Sequence, residues 1–182
     1  MASQAPAHAP VQAPALDEQT HALALELFQL VRAGDEARLS RLLAMGLVPN
    51  LRDGKGDSLL MLACYHGHAA LAQALLRHGA DPELANDRGQ TPLAAAAFKG
   101  DEGIVRLLLE AGALADARMP GGRTALMLAA MFDRRAIVEL LLAHGADPRA
   151  MDDEGRDALA LAQAMGASAA AARLEPLPIP CN

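Results

Sequence analysis

Apolar residues in this chain fall in short clusters with helical spacing, each closed by a glycine and followed by a polar stretch. Leu23, Leu27, Leu30 and Val31 run to Gly34, and Leu39, Leu42 and Leu43 run to Gly46. This spacing predicts one helix that Asp17 starts as a cap and another over Asp35 to Ala44 that buries Leu39, Leu42 and Leu43. Two more are predicted over Ser58 to Tyr65 and Ala69 to Arg77. The pattern then returns at one constant step, so that Gly56, Leu60, Gly67, Leu75 and Gly79 become Gly89, Leu93, Gly100, Leu108 and Gly112. The next copy reads Gly122, Leu126, Asp133, Leu141 and Gly145, with Asp133 the one departure. A period as long as the step from Gly56 to Gly89 means that no unit buries its apolar face alone, so neighbouring units must stack.

Local chemistry agrees with the period. Ser58, Thr91 and Thr124 share one register position and can each accept from free N–H groups at a helix start. Pro92 follows at a place where a missing N–H costs nothing. Gly79, Gly112 and Gly145 each close a second helix, and the stretches from Gly79 to Pro82 and from Gly145 to Pro148 prevent continuation. The fold class predicted is all-α, a solenoid of about five helix-pair repeats with short β-hairpin-like loops, over 17–52, 53–85, 86–118, 119–151 and 152–175. The first unit lacks a Thr-Pro-Leu start and the last has an Ala-rich second helix, as expected of caps that meet water. Residues 1–16 read as a disordered Ala/Pro-rich arm, and 176–182 as a Pro-rich tail.

Composition narrows the function. Hydrophobic residues make up 52% of the 182, but aromatics only 2%, which suits thin helix-on-helix layers. Lys+Arg 16 against Asp+Glu 22 leaves a net charge of −6, a poor balance for gripping a phosphate backbone, so no nucleic-acid partner is expected. No apolar run approaches the roughly 18 residues of a membrane span. The prolines at Pro6, Pro10 and Pro14 interrupt any export signal. Cys64 and Cys181 are too few for a disulfide framework, and a monomer in a reducing, cytoplasmic setting is expected.

At GQTPLAAAAFKGDEGIVRLLLEAGA the chain resembles the ankyrin repeat family, through Thr91-Pro92-Leu93, Ala96, Ala97, Gly100, Ile104, Val105, Leu107 to Leu109, and Gly112-Ala113. Copies stand at Gly67-His68 with Leu75-Leu76, and at Thr124-Ala125-Leu126 with Ile137-Val138 and Leu140 to Leu142. The resemblance runs from about Leu23 to Leu174, and the wording is similar to small bacterial ankyrin proteins. Three departures stand out. The family's His after Thr-Pro-Leu is Met61, Ala94, Met127 or Ala160, which implies loss of the hydrogen bonding that this His supports. Asp133 replaces the interhelical Gly, and Leu114 replaces the Asp of the Gly-Ala-Asp turn, implying an altered third-to-fourth junction. The segment Pro120-Gly121-Gly122 reads as a loosened hairpin tip, lacking the preceding strand and the spacing of a phosphate loop.

The resemblance implies a non-enzymatic scaffold that binds another protein on its concave side, through loop tips and the ends of first helices. By register the tips include Lys55, Asp57, Asp87, Arg88, Gln90, Arg123, Glu154 and Arg156, and the helix ends Tyr65-His66, Phe98-Lys99 and Met131-Phe132. Three of the four aromatics, Tyr65, Phe98 and Phe132, thus fall in consecutive repeats, expected roughly 10 Å apart. They are either an exposed binding strip or wedges against neighbouring loops. Lys55, Arg88, Lys99 and Arg123 make a basic fringe that favours a partner with an acidic rim, although Asp57 and Asp87 blunt the sign. Two other readings are an inhibitor or immunity-type protein for a co-encoded enzyme, and a redox or metal responder through Cys64, His66 and His68. Against metal, Cys64 holds the register of Ala97 and Ala130, where a small buried side chain is wanted. No cofactor is expected, and Ser58, Thr91 and Thr124 are explained as caps rather than nucleophiles.

Overall fold

The computed structural model of the chain describes residues 18–175. The expected cap at Asp17, the arm over 1–16 and the tail over 176–182 lie outside them. The described residues form ten helices in order: α1 Glu18–Ala33, α2 Glu36–Ala44, α3 Leu59–His66, α4 Ala69–Arg77, α5 Pro92–Lys99, α6 Glu102–Glu110, α7 Ala125–Met131, α8 Arg135–Ala143, α9 Ala158–Met165 and α10 Ser168–Leu174. Among the described residues no strand forms, and one isolated bridge joins Arg52 to Ser58. The odd-numbered helices pack in one layer, each against the next, and the even-numbered helices form a second layer behind them.

Side chains start these helices as the sequence dictates. The hydroxyl of Ser58 accepts from Met61 N at 3.0 Å, that of Thr91 from Ala94 N at 3.3 Å and that of Thr124 from Met127 N at 3.4 Å. Asp157 does the same for Ala160 N at 2.8 Å. Each such cap is worth about 1 kcal/mol. Leucines recurring at the repeat step are fully buried in both layers, Leu60, Leu93 and Leu126 in the inner helices and Leu75, Leu108 and Leu141 in the outer row. Truncating any of them to Ala should cost roughly 2–5 kcal/mol, because the neighbouring repeat cannot close over the hole.

Consecutive repeats are also tied through polar groups. Asn50 accepts from Asp81 N at 2.8 Å, Glu83 from Leu114 N at 2.9 Å and Asp116 from Asp147 N at 2.9 Å. Leu114 therefore does not alter the third-to-fourth junction. Its backbone keeps the turn, with Ala117 N donating to Leu114 O at 3.1 Å as Ala150 N does to Asp147 O at 3.2 Å. What is lost is only the side-chain acceptor that Asp81 and Asp147 supply to Glu83 N and Arg149 N. Leu23, in the first helix, is 65% exposed. α1 starts well ahead of its neighbours, and the residue in the register of Leu23 is Gly56, in the loop before α3, so nothing packs there. Leu42 is half-buried, while Leu39 and Leu43 are buried as expected.

Interhelical turns interlock along the stack. A methyl group on Gly34 would sit 2.8 Å from the His68 ring, and one on Gly100 would sit 2.6 Å from Arg134 Nε. Both glycines have positive φ, +79° and +85°, so they are required twice over, by backbone conformation and by the side chain that the next repeat lays on them.

Candidate functional site

The loop tips are shaped by a recurring short polar residue. The Asp53 carboxylate accepts from Lys55 N and Asp57 N at 2.9 and 3.1 Å. Asn86 accepts from Arg88 N and Gln90 N, both at 3.0 Å, and Asp152 accepts from Glu154 N and Arg156 N at 3.0 and 2.9 Å. Such a turn folds the backbone onto one side-chain oxygen and turns the intervening side chains outward. In the third tip the register residue is Met119, which has no acceptor to give. The tip is closed all the same: Met119 N donates to Arg123 O at 2.8 Å, and Gly121 O accepts from Asp153 N of the next tip at 3.0 Å. It is thus not the loosened hairpin that its glycines suggest.

The first three of these tips and the ends of α3, α5 and α7 enclose a groove of about 590 Å³. Nine of the sequence-predicted residues line it: Tyr65, His66, Phe98, Met131 and Phe132 from the helix ends, and Lys55, Arg88, Gln90 and Arg123 from the tips. Lys99, the tenth, stands apart from the groove wall. Its Nζ lies 4.7 Å from the centre of the Tyr65 ring, a cation–π contact that holds its charge against that ring. The three rings are neither free-standing nor wedged, with Tyr65 44%, Phe98 41% and Phe132 39% exposed. Nor are they evenly spaced at about 10 Å. Phe98 and Phe132 meet edge to face with centroids 4.9 Å apart, because side chains from neighbouring rungs lean together where the backbones do not. Phe28, the fourth aromatic, is buried in the first repeat.

Two polar groove residues escaped the sequence reading although their register gave them away. Arg32 stands one repeat step before Tyr65, making Arg32, Tyr65, Phe98 and Met131 one column. Asn86 is the equivalent of Asp53 and Asp152. The floor is likewise columnar, with Leu62, Ala95 and Leu128 at the same step.

Electrostatics at the helix ends discourage a metal or redox role. Cys64 is fully buried, and burial, with a further contribution from Asp101, pushes its thiol far above the ordinary range. The rings of His66 and His68 stack at 6.1 Å, but His68 Nε2 is already committed, donating to Arg32 O at 3.0 Å. Burial, then the nearby His68, Arg32 and Lys99, holds the His66 pKa below its usual value. Among the described residues no three His, Cys, Asp or Glu side chains converge as metal ligands. The hydroxyls of Ser58, Thr91 and Thr124 are buried and spent on helix caps.

A stack of helix pairs with outward-turned loop tips and a groove along its inner layer defines a repeat module. The chain belongs to the ankyrin repeat family: residues 27–119 match the model for three tandem ankyrin repeats, and 121–153 match the single ankyrin repeat. It is also 59% identical over 56 residues to an ankyrin repeat protein of Pseudomonas aeruginosa strain PAO1. That match takes in 31% of this chain and 33% of the relative, so the chain is matched to about a third of that protein's length. Ankyrin repeats are generally protein–protein interaction modules. No described helix is long and apolar enough to cross a membrane.

Proposed function

We propose that this protein is a non-enzymatic scaffold that holds part of another protein in the groove, anchored on Tyr65, Phe98, Met131 and Phe132. Lys55, Arg88, Gln90 and Arg123 would form the rim, with His66 beside Tyr65. The observation that carries this reading is the convergence of three rings, each about two-fifths exposed, on one concave surface of a chain with only four aromatics. Rings that a fold leaves half in water gain most when a partner finishes their burial, and such residues dominate interface energetics. The free, buried Cys64 thiol suits a reducing compartment, and we read the cytoplasm as the site of action.

The test is replacement of Tyr65 and Phe98 together by Ala, with co-purified partner measured against the unchanged chain. Affinity should fall by about 100-fold or more while the melting curve keeps its cooperativity. Undiminished binding would make the rings structural, and collapse of the fold would make them core.

A further inference from the structure

The groove is opposite in sign to the protein that carries it. The chain has 16 Lys+Arg against 22 Asp+Glu, yet the groove wall holds Arg32, Lys55, Arg88 and Arg123 against a single carboxylate, Asp57. Of the two acids that could blunt this rim, Asp87 is neutralised by an ion pair, and Asp57 keeps its charge but is held by a neutral amide. Asp57 Oδ1 accepts from Asn86 Nδ2 at 2.7 Å, and Asp87 Oδ1 pairs with Arg52 Nη2 at 2.8 Å. Arg32 is paired with Asp53. Among the described residues Lys55, Arg88 and Arg123 form no ion pair, although seven other arginines of this acidic chain do.

Three unpaired cations gathered on one rim, above an apolar floor, make a local field that the rest of the molecule opposes. We propose that the occupant of the groove is an acidic segment of a partner protein. Such a segment sets an aromatic or aliphatic side chain on the Tyr65, Phe98 and Phe132 rings and turns carboxylates to Lys55, Arg88 and Arg123. The inference rests on the groove reading of the preceding section. It also supplies selectivity: the acidic body repels acidic proteins at large, and only a segment slender enough to enter the groove meets the inverted sign.

Short fluorescent peptides sharing a Phe-Leu centre and flanked on both sides by Glu, by Gln or by Lys serve as probes, with an oligothymidine as a nucleic-acid control. The Glu probe should bind about tenfold more tightly than the Gln probe, and the Lys probe most weakly. The gap should close as NaCl is raised from about 50 to about 500 mM. Replacing Lys55, Arg88 and Arg123 by Glu should reverse the order, with a melting curve confirming the fold. Replacing Tyr65 and Phe98 by Ala should weaken all the peptides alike. Equal binding of the three peptides, lost in the Tyr65/Phe98 variant, overturns the acidic preference and leaves the groove reading standing. No binding of the Glu probe, or tighter binding of the oligothymidine, also overturns the acidic preference. The groove reading is then judged by the co-purification test alone.

Discussion

Asp133 reaches across to the next repeat, where its Oδ1 accepts from Ala170 N at 2.7 Å. Ala170 is the third residue of α10, whose N-cap is Ala167 and brings no side chain to the helix start. Asp133 therefore supplies from a neighbouring turn the cap that Ser58 or Thr91 supplies within its own helix. The geometry also explains how a non-glycine is accepted at φ +55° in a position that is Gly34, Gly67 or Gly100 elsewhere. Gly34 and Gly100 lie under His68 and Arg134, whereas the corresponding residue for Asp133 is the small Ala167.

Asp133→Ala should accordingly lower stability by about 1–2 kcal/mol, since it forfeits the cap and keeps the left-handed backbone. Asp133→Asn, which accepts the same bond and tolerates that conformation, should be close to neutral. Urea denaturation gives the first comparison, and amide exchange at Ala170 shows whether the loss is local. An Ala variant as stable as the unchanged chain would show that the bond contributes nothing.

Gly34 and Gly79 both have positive φ, yet only Gly34 has a neighbour in the way. Gly34→Ala should destabilise more than Gly79→Ala, because the new methyl displaces the His68 ring from Arg32 O as well as straining the backbone by about 1–2 kcal/mol. Adding His68→Ala should shrink the difference between the two. If the two glycine variants melt together, the ring moves aside freely.

The Asp152 side chain is only 1% exposed, and hydrogen bonds from the Arg156 side chain, then from the Arg156 backbone amide, hold its pKa below the ordinary value. A depressed carboxylate stabilises the fold above its unfolded pKa, near 4, and that contribution fades as pH falls through the lower folded value. Asp152→Asn keeps an oxygen for Glu154 N and Arg156 N, as Asn86 does in its own tip, but loses the charge. The variant should be less stable at neutral pH and lose less stability between about pH 5 and pH 2. Parallel acid curves for the two proteins would exclude the linkage.

Cys64, buried and with its thiol held protonated, should resist alkylation in the folded protein at neutral pH and react once the chain is unfolded. In a Cys181→Ser background the rate with iodoacetamide should rise by orders of magnitude on adding denaturant. Rapid labelling of the native state would reopen a redox role.

The sequence carried the architecture because its signals repeat in phase. A glycine, a leucine or a hydroxyl cap recurring at the step from Ser58 to Thr91 to Thr124 is evidence for fold at each copy, and helix positions follow within a residue or two. The groove columns were legible for the same reason, and Arg32 stands in one of them, a single repeat step before Tyr65. Side-chain direction was not legible. Phe98 turns to Phe132 and Lys99 turns back to Tyr65, choices made by neighbours in adjacent repeats and not by spacing along the chain. The capping role of Asp133 lay hidden for a related reason, since its partner is a backbone group in another repeat.

The ties from Asn50 to Asp81, Glu83 to Leu114 and Asp116 to Asp147 each span the same 31 residues, so each reaches the adjoining repeat and goes no further. A molecule bonded in this way is a chain of links rather than a knot. Pulled by its two ends, it should yield in successive steps of one unit, giving a sawtooth of similar force peaks instead of a single rupture. Excising the central unit that begins at Asn86 and ends at Arg118 should shorten that sawtooth by one tooth and leave the others in place.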